Sequence, residues 1–157
     1  MNKPIKMAAW TAVALLVLLQ FMPVDRHNPP VTAAMSVPDG EVAEILQAAC
    51  NDCHTHETTW PWYSKVAPVS IFVADHVEEG REHFNLSTWN EQDARRRDHK
   101  LEEMIEMVED GEMPLRSYTI THPEARLTDE QREVLMKWAR SEREKAQAEP
   151  GFSEGER

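Results

Sequence analysis

The sequence predicts an all-α fold, a bundle of about four amphipathic helices behind an apolar N-terminal helix. Two patterns carry this prediction. Apolar residues recur at offsets of three and four in several separate segments, and no run of any length alternates apolar with polar as a strand would. A third observation predicts what the bundle surrounds: the 157-residue chain has only two cysteines, and both lie in Cys50-Asn51-Asp52-Cys53-His54.

Residues 1–24 read as a signal anchor, a transmembrane helix. Lys3 and Lys6 precede an uncharged run from Met7 to Met22, which Pro23, Asp25 and Arg26 close. A helix over that run is roughly 24 Å long against a hydrocarbon core of roughly 30 Å, short for a span and long for a signal-peptide core. No small-residue cleavage junction closes it, so the reading is an uncleaved anchor of the bacterial inner membrane, with its positive end inside and all that follows exported to the periplasm. Residues 25–37, with Pro29 and Pro30, lack apolar periodicity and read as an extended linker.

The domain proper is expected over 38–142. Pro38-Asp39 announces a first helix over Glu41–Ala49, with Val42, Ile45, Leu46 and Ala49 as its stripe. That helix delivers the cysteine motif. On one helical turn Cys50 and Cys53 share a face and can each add a sulfur across a haem vinyl group, while His54 offers an imidazole to the iron, the arrangement of a c-type haem site. Two other readings fit the same residues. A dithiol–disulfide pair expects a βαβ context, which is absent. A structural zinc site needs four ligands, and His54 and His56 would have to complete it within one short segment.

Trp60-Pro61-Trp62-Tyr63 follows the motif. These rings can wall a porphyrin edge and bond a propionate, or serve as ordinary core. A second helix is expected over Val69–Phe84, with Val69, Phe72, Val73, His76 and Val77 on its apolar face. A third, over Gln92–Glu109, carries Leu101, Met104, Ile105 and Val108. Beyond it lies Gly111-Glu112-Met113-Pro114. A thioether held in a loop far along the chain is a natural sixth iron ligand, and the proline after it fixes the chain direction. Met113 is the candidate, with Met104, Met107 and Met136 as neighbours of the same type and His76 as the rival. Core filling is the other use of a methionine there. Arg116 and Tyr118 are further propionate candidates. Thr128-Asp129-Glu130-Gln131 is a capping box opening a last helix that buries Val134, Leu135 and Trp138. Residues 143–157 are charged and expected to fray into disorder.

The net charge is −11. Residues 1–26 contribute Lys3, Lys6 and Arg26 against Asp25 alone, so the remainder is more acidic still. Nucleic acid and anionic headgroups would be repelled, and a redox partner with a basic patch would be steered in.

From Cys50 through Trp138 the chain resembles the bacterial haem-binding domain family, small exported monohaem proteins akin to class I cytochromes c. The residues that carry the resemblance are Cys50-Asn51-Asp52-Cys53-His54, Glu57-Thr58, Trp60-Pro61-Trp62-Tyr63-Ser64 and Val66-Ala67-Pro68-Val69-Ser70. Gly80-Arg81, Gly111-Glu112-Met113-Pro114 and His122-Pro123-Glu124-Ala125 through Leu127-Thr128 complete it. His56 and Thr59 depart from it. The resemblance implies one covalent haem c per chain with His54 and Met113 as axial ligands. The expectation is therefore a cytochrome c-like bundle around one covalently attached haem, a membrane-anchored electron carrier rather than an enzyme. A haem-based peroxidase or gas sensor with a labile sixth ligand, and a haem subunit of a larger respiratory complex, are the alternatives.

Overall fold

The computed structural model describes residues 2–152. Among them are seven α-helices, three short 3-10 turns and no strands: α1 (Lys3–Leu19), α2 (Glu41–Ala49), α3 (Asn51–His54), α4 (Val69–His83), α5 (Ala94–Glu109), α6 (Arg116–Thr121) and α7 (Asp129–Gln147). The 3-10 turns are Trp62–Lys65, Trp89–Glu91 and Pro123–Ala125.

The core is built by α2, α5 and α7. Ile45 and Leu46 from α2 meet Leu101, Ile105 and Val108 from α5 and Leu135, Trp138 and Ala139 from α7, with Phe84, Leu86 and Trp89 completing the cluster. Those positions repeat every three or four residues because each helix turns one stripe inward. Both long helices start on side-chain caps. The Asp93 carboxylate accepts from the Arg96 amide, and Thr128 and Gln131 form the reciprocal capping box the sequence announces. These bonds satisfy amide groups that the first turn leaves without partners.

Four expectations are corrected. First, no helix among the described residues is long and apolar enough to cross a membrane. α1 has 17 residues and takes in Lys3 and Lys6, and the chain turns at its end, before the expected run closes at Met22. There the Gln20 side chain donates to the Leu16 and Ala67 carbonyls and accepts from the Ala67 amide, which ties the end of α1 to the loop before α4.

Second, residues 25–37 are not a free spacer. They form a strap laid on the domain, because an extended proline-bearing segment has backbone groups that a neighbouring loop can pair. Thr32 and Ala33 donate to the Ser87 carbonyl, Met35 to that of Leu86, and Ala33 accepts from the Asn90 amide.

Third, the expected tail does not fray at 143. α7 runs to Gln147, because Arg143 bonds Asp98 and Glu102 on α5 and Ala146 is buried. Arg97 reaches further, to Glu149 at 2.6 Å. Residues 153–157 of that tail lie outside the described residues.

Fourth, α4 buries Ser70 and Val77, while Val69 and Phe72 are exposed and His76 is half-exposed. Of the stripe expected from hydropathy only Val77 is fully buried, and Val73 is half-buried.

Candidate haem site

The attachment motif sits where α2 breaks into α3. Cys50 still donates its amide to Leu46 and then accepts at its carbonyl from Cys53 (3.2 Å) and His54 (3.0 Å). One tight turn thus carries both sulfurs and the imidazole. Both thiols are free. Burial pushes Cys50 up to about 12, with the neighbouring Cys53 adding to it. Burial likewise raises Cys53 to about 11, reinforced by Asp52 and opposed by Arg81. Both shifts favour the thiol over the thiolate, whereas a redox dithiol needs a lowered pKa. Among the described residues, one trio of metal-ligating side chains lies within reach of itself, Asp75, His76 and Glu79, and it includes neither cysteine.

His54 is oriented by α4. Its Nδ1 lies 2.8 Å from the Phe84 carbonyl and 3.0 Å from the Gly80 carbonyl. Carbonyls only accept, so Nδ1 carries the proton and Nε2 holds the lone pair. Burial keeps the imidazole below its ordinary pKa, and hence neutral, against the two carbonyl bonds that pull the other way. A second hydrogen bond that fixes the tautomer and raises donor basicity is how proteins prepare a histidine for a metal. The Phe84 ring stands edge-on to the imidazole at 5.6 Å.

Gly80 makes this approach possible. A Cβ built there would lie 2.8 Å from the Cys53 carbonyl oxygen, so only glycine lets α4 come this close to α3.

The loop after His54 is folded back on the motif. Thr55 and Thr58 donate to the Asn51 and Asp52 carbonyls, both at 2.6 Å, and Asp52 accepts the Thr59 amide. The other Asp52 oxygen accepts the Tyr118 hydroxyl at 2.9 Å, which brings α6 against the motif. Burial, with the Asp52 charge added, raises the Tyr118 hydroxyl far above its usual pKa. Tyr63 reaches Thr121 (3.2 Å) and His122 (3.4 Å), and His122 stacks on Tyr118 at 4.1 Å.

The remaining sequence candidates fall in different places. Trp60 is turned to the strap, where its indole N–H donates to Asn28. Trp62 is 77% exposed. Arg116 opens α6 and is exposed. Met113 packs against the same buried cluster that Cys50 touches. Its loop is set by Gly111 at φ +72° and by Met107, whose carbonyl accepts from both Glu112 and Met113. Met104 and Met136 also pack on that cluster, whereas Met107 is exposed. His76 donates back to Phe72 on its own helix and lies tilted against that ring at 4.0 Å, with Asp75 and Glu79 within reach of its imidazole.

Sequence reasoning missed the groups that orient His54. They are main-chain carbonyls, which leave no mark in composition. It also missed Asn28 and the part Arg81 plays. His56 donates from Nδ1 to the Pro30 carbonyl and accepts at Nε2 from Asn85, so the strap is anchored there too.

These residues fit a haem. There are two protonated thiols on one turn and a neutral imidazole presenting Nε2. Beside them the 62–72 segment exposes Trp62, Val66, Val69 and Phe72, apolar surface of the kind a porphyrin face covers. No curated protein and no solved structure matches the chain. A family model described as "Haem-binding domain" matches residues 14–141. That range covers the last six residues of α1, the strap, α2 to α6 and most of α7, and the chain belongs to the haem-binding domain family.

Proposed function

We propose that the protein is a monohaem c-type cytochrome that carries electrons on the periplasmic face of the bacterial inner membrane. The observation that carries this reading is His54, whose Nδ1 is occupied by two carbonyls so that Nε2 is kept for iron. Cys50 and Cys53 would hold the group through thioethers, and His54 and Met113 would supply nitrogen and sulfur to its iron. When bound, the haem provides a one-electron iron couple, and a thioether opposite an imidazole favours its ferrous form.

The chain's own residues keep that couple in place. The α3 turn fixes the sulfurs, α4 fixes the imidazole plane, and the Asp52–Tyr118 bond ties the segment beyond Met113 to the motif. If His54 and Met113 both hold the iron, the protein would leave no open position there for a substrate. The apolar α1, none of whose residues is buried, serves as the membrane attachment. The acidic surface selects a redox partner with a basic patch.

The test is the optical spectrum, oxidised and reduced, of protein expressed with haem-attachment machinery. A low-spin wild type whose far-red sulfur-to-iron band is lost in Met113→Ala supports His54/Met113 ligation and electron transfer. A high-spin wild type, or a variant indistinguishable from it, removes Met113 from the iron and favours a gas-binding or peroxide-cleaving haem.

A further inference from the structure

Arg81 stands one residue beyond the carbonyl that orients His54, and it makes four hydrogen bonds to four different groups. Its Nε donates to the Thr55 carbonyl at 2.9 Å. One terminal nitrogen donates to the His27 carbonyl at 3.0 Å, and the other to Asn28 Oδ1 at 2.8 Å and Thr58 Oγ1 at 2.9 Å. The first bond has a reciprocal partner. His54 donates to the carbonyl of Gly80, and Arg81 donates to the carbonyl of Thr55, so residues 54–55 and 80–81 hold each other in register.

The remaining bonds extend that register outward. Asn28 also donates to the Thr58 carbonyl and accepts the Trp60 indole, so the strap, the 55–60 loop and α4 meet at one guanidinium.

We infer that Arg81 is a positioning residue for His54, and that through it His27 and Asn28 of the strap form an outer part of the haem site. This rests on the reading of His54 as an iron ligand. A lysine here keeps the charge but has no Nε–H fork. One ammonium cannot serve the Thr55 carbonyl and the strap together. Arg81→Lys therefore lets the His54–Thr55 turn slacken, lengthens the Nδ1 bonds to Gly80 and Phe84, and makes the imidazole a less basic donor. Ferric iron loses more from that than ferrous iron, so the potential rises.

The experiment is a redox titration and optical spectrum of full-length wild type, Arg81→Lys and Asn28→Ala, with thermal unfolding alongside. The expected result is an upward shift in Arg81→Lys equivalent to a tenfold change in the ferric-to-ferrous ratio, about 59 mV for a one-electron couple. Asn28→Ala, which keeps the guanidinium and removes one of its acceptors, shifts the same way by less. A lower unfolding temperature with the wild-type potential in both variants would make Arg81 a purely structural clamp and overturn the inference. Should Arg81→Lys fail to fold, Asn28→Ala decides alone: an upward shift sustains the inference and an unchanged potential ends it. A wild type without low-spin haem removes the parent reading and this one together, whereas a low-spin wild type with unshifted variants removes only this one.

Discussion

The two halves of the molecule are held together by different forces. Where α5 packs on α7, stability comes from side chains out of water: Leu101 and Leu135 are 1% and 0% exposed, and the polar groups there are caps or rim ion pairs. Where α3 meets α4, few large apolar side chains are buried. The contact is made by a glycine and by hydrogen bonds from His54, Arg81 and the threonines to main-chain carbonyls. The same half leaves Val66, Val69 and Phe72 exposed at 47%, 43% and 48%. The packing half is held by buried apolar surface, whereas the haem half is shaped by polar contacts and has apolar surface to spare for a ligand.

Substitutions that strike one half and spare the other sharpen that contrast. The largest effect is expected from His54→Ala. It removes the proposed iron ligand without touching the α5–α7 core, so the low-spin spectrum should disappear while far-ultraviolet circular dichroism keeps its helical signal. Loss of both signals together would make the two halves one cooperative unit.

Leu135→Ala is the converse. Its side chain is fully buried, and truncation should destabilise the fold by about 2–5 kcal/mol. Denaturant unfolding measures this, and the spectrum of the folded fraction should stay as in wild type.

Gly80→Ala lies at the join. The added methyl would be 2.8 Å from a main-chain oxygen that cannot swing aside, so a cost of about 1–3 kcal/mol is expected. Unlike Leu135→Ala it should also broaden or shift the haem bands, because it pushes α4 off His54.

The smallest effect concerns the rim of the packing half. The hydrogen bond from Arg143 holds the Asp98 carboxyl below the usual carboxylate range. A depressed folded-state pKa adds stability at pH above the ordinary carboxylate value, and that stability is lost as pH falls through the depressed one. Arg143→Gln should therefore cost about 1 kcal/mol near neutrality, less at high salt, and the difference from wild type should shrink in acid. A difference that grows as pH falls would contradict the assignment.

How much of this was legible in the sequence follows the same division. The helices of the packing half were readable from their apolar periodicity and from the capping box at Thr128, although α7 runs on to Gln147. The motif was readable because thioether attachment needs Cys50, Cys53 and His54 in that order. The scaffold around them was not. The bonds that orient His54 end on the carbonyls of Gly80 and Phe84, and any residue has a carbonyl. The strap looked like a spacer because Pro29 and Pro30 have no apolar period, although Ser87 and Leu86 pair its backbone. α4 misled for the opposite reason. Val69 and Phe72 are apolar at helical spacing, yet they do not face the protein core, since a haem protein keeps apolar surface for something other than its own chain. Charge density concealed the end of α7, where Arg143 answers Asp98 and Glu102 on another helix.

The central claim, that Cys50 and Cys53 bind one haem covalently, is tested most directly by the intact mass of the denatured protein after expression with haem-attachment machinery. The account predicts the chain plus one haem, surviving denaturation and acidic solvent, and the bare chain for the Cys50→Ala, Cys53→Ala double variant. A wild-type mass equal to the bare chain, or a haem that the solvent extracts, would contradict it.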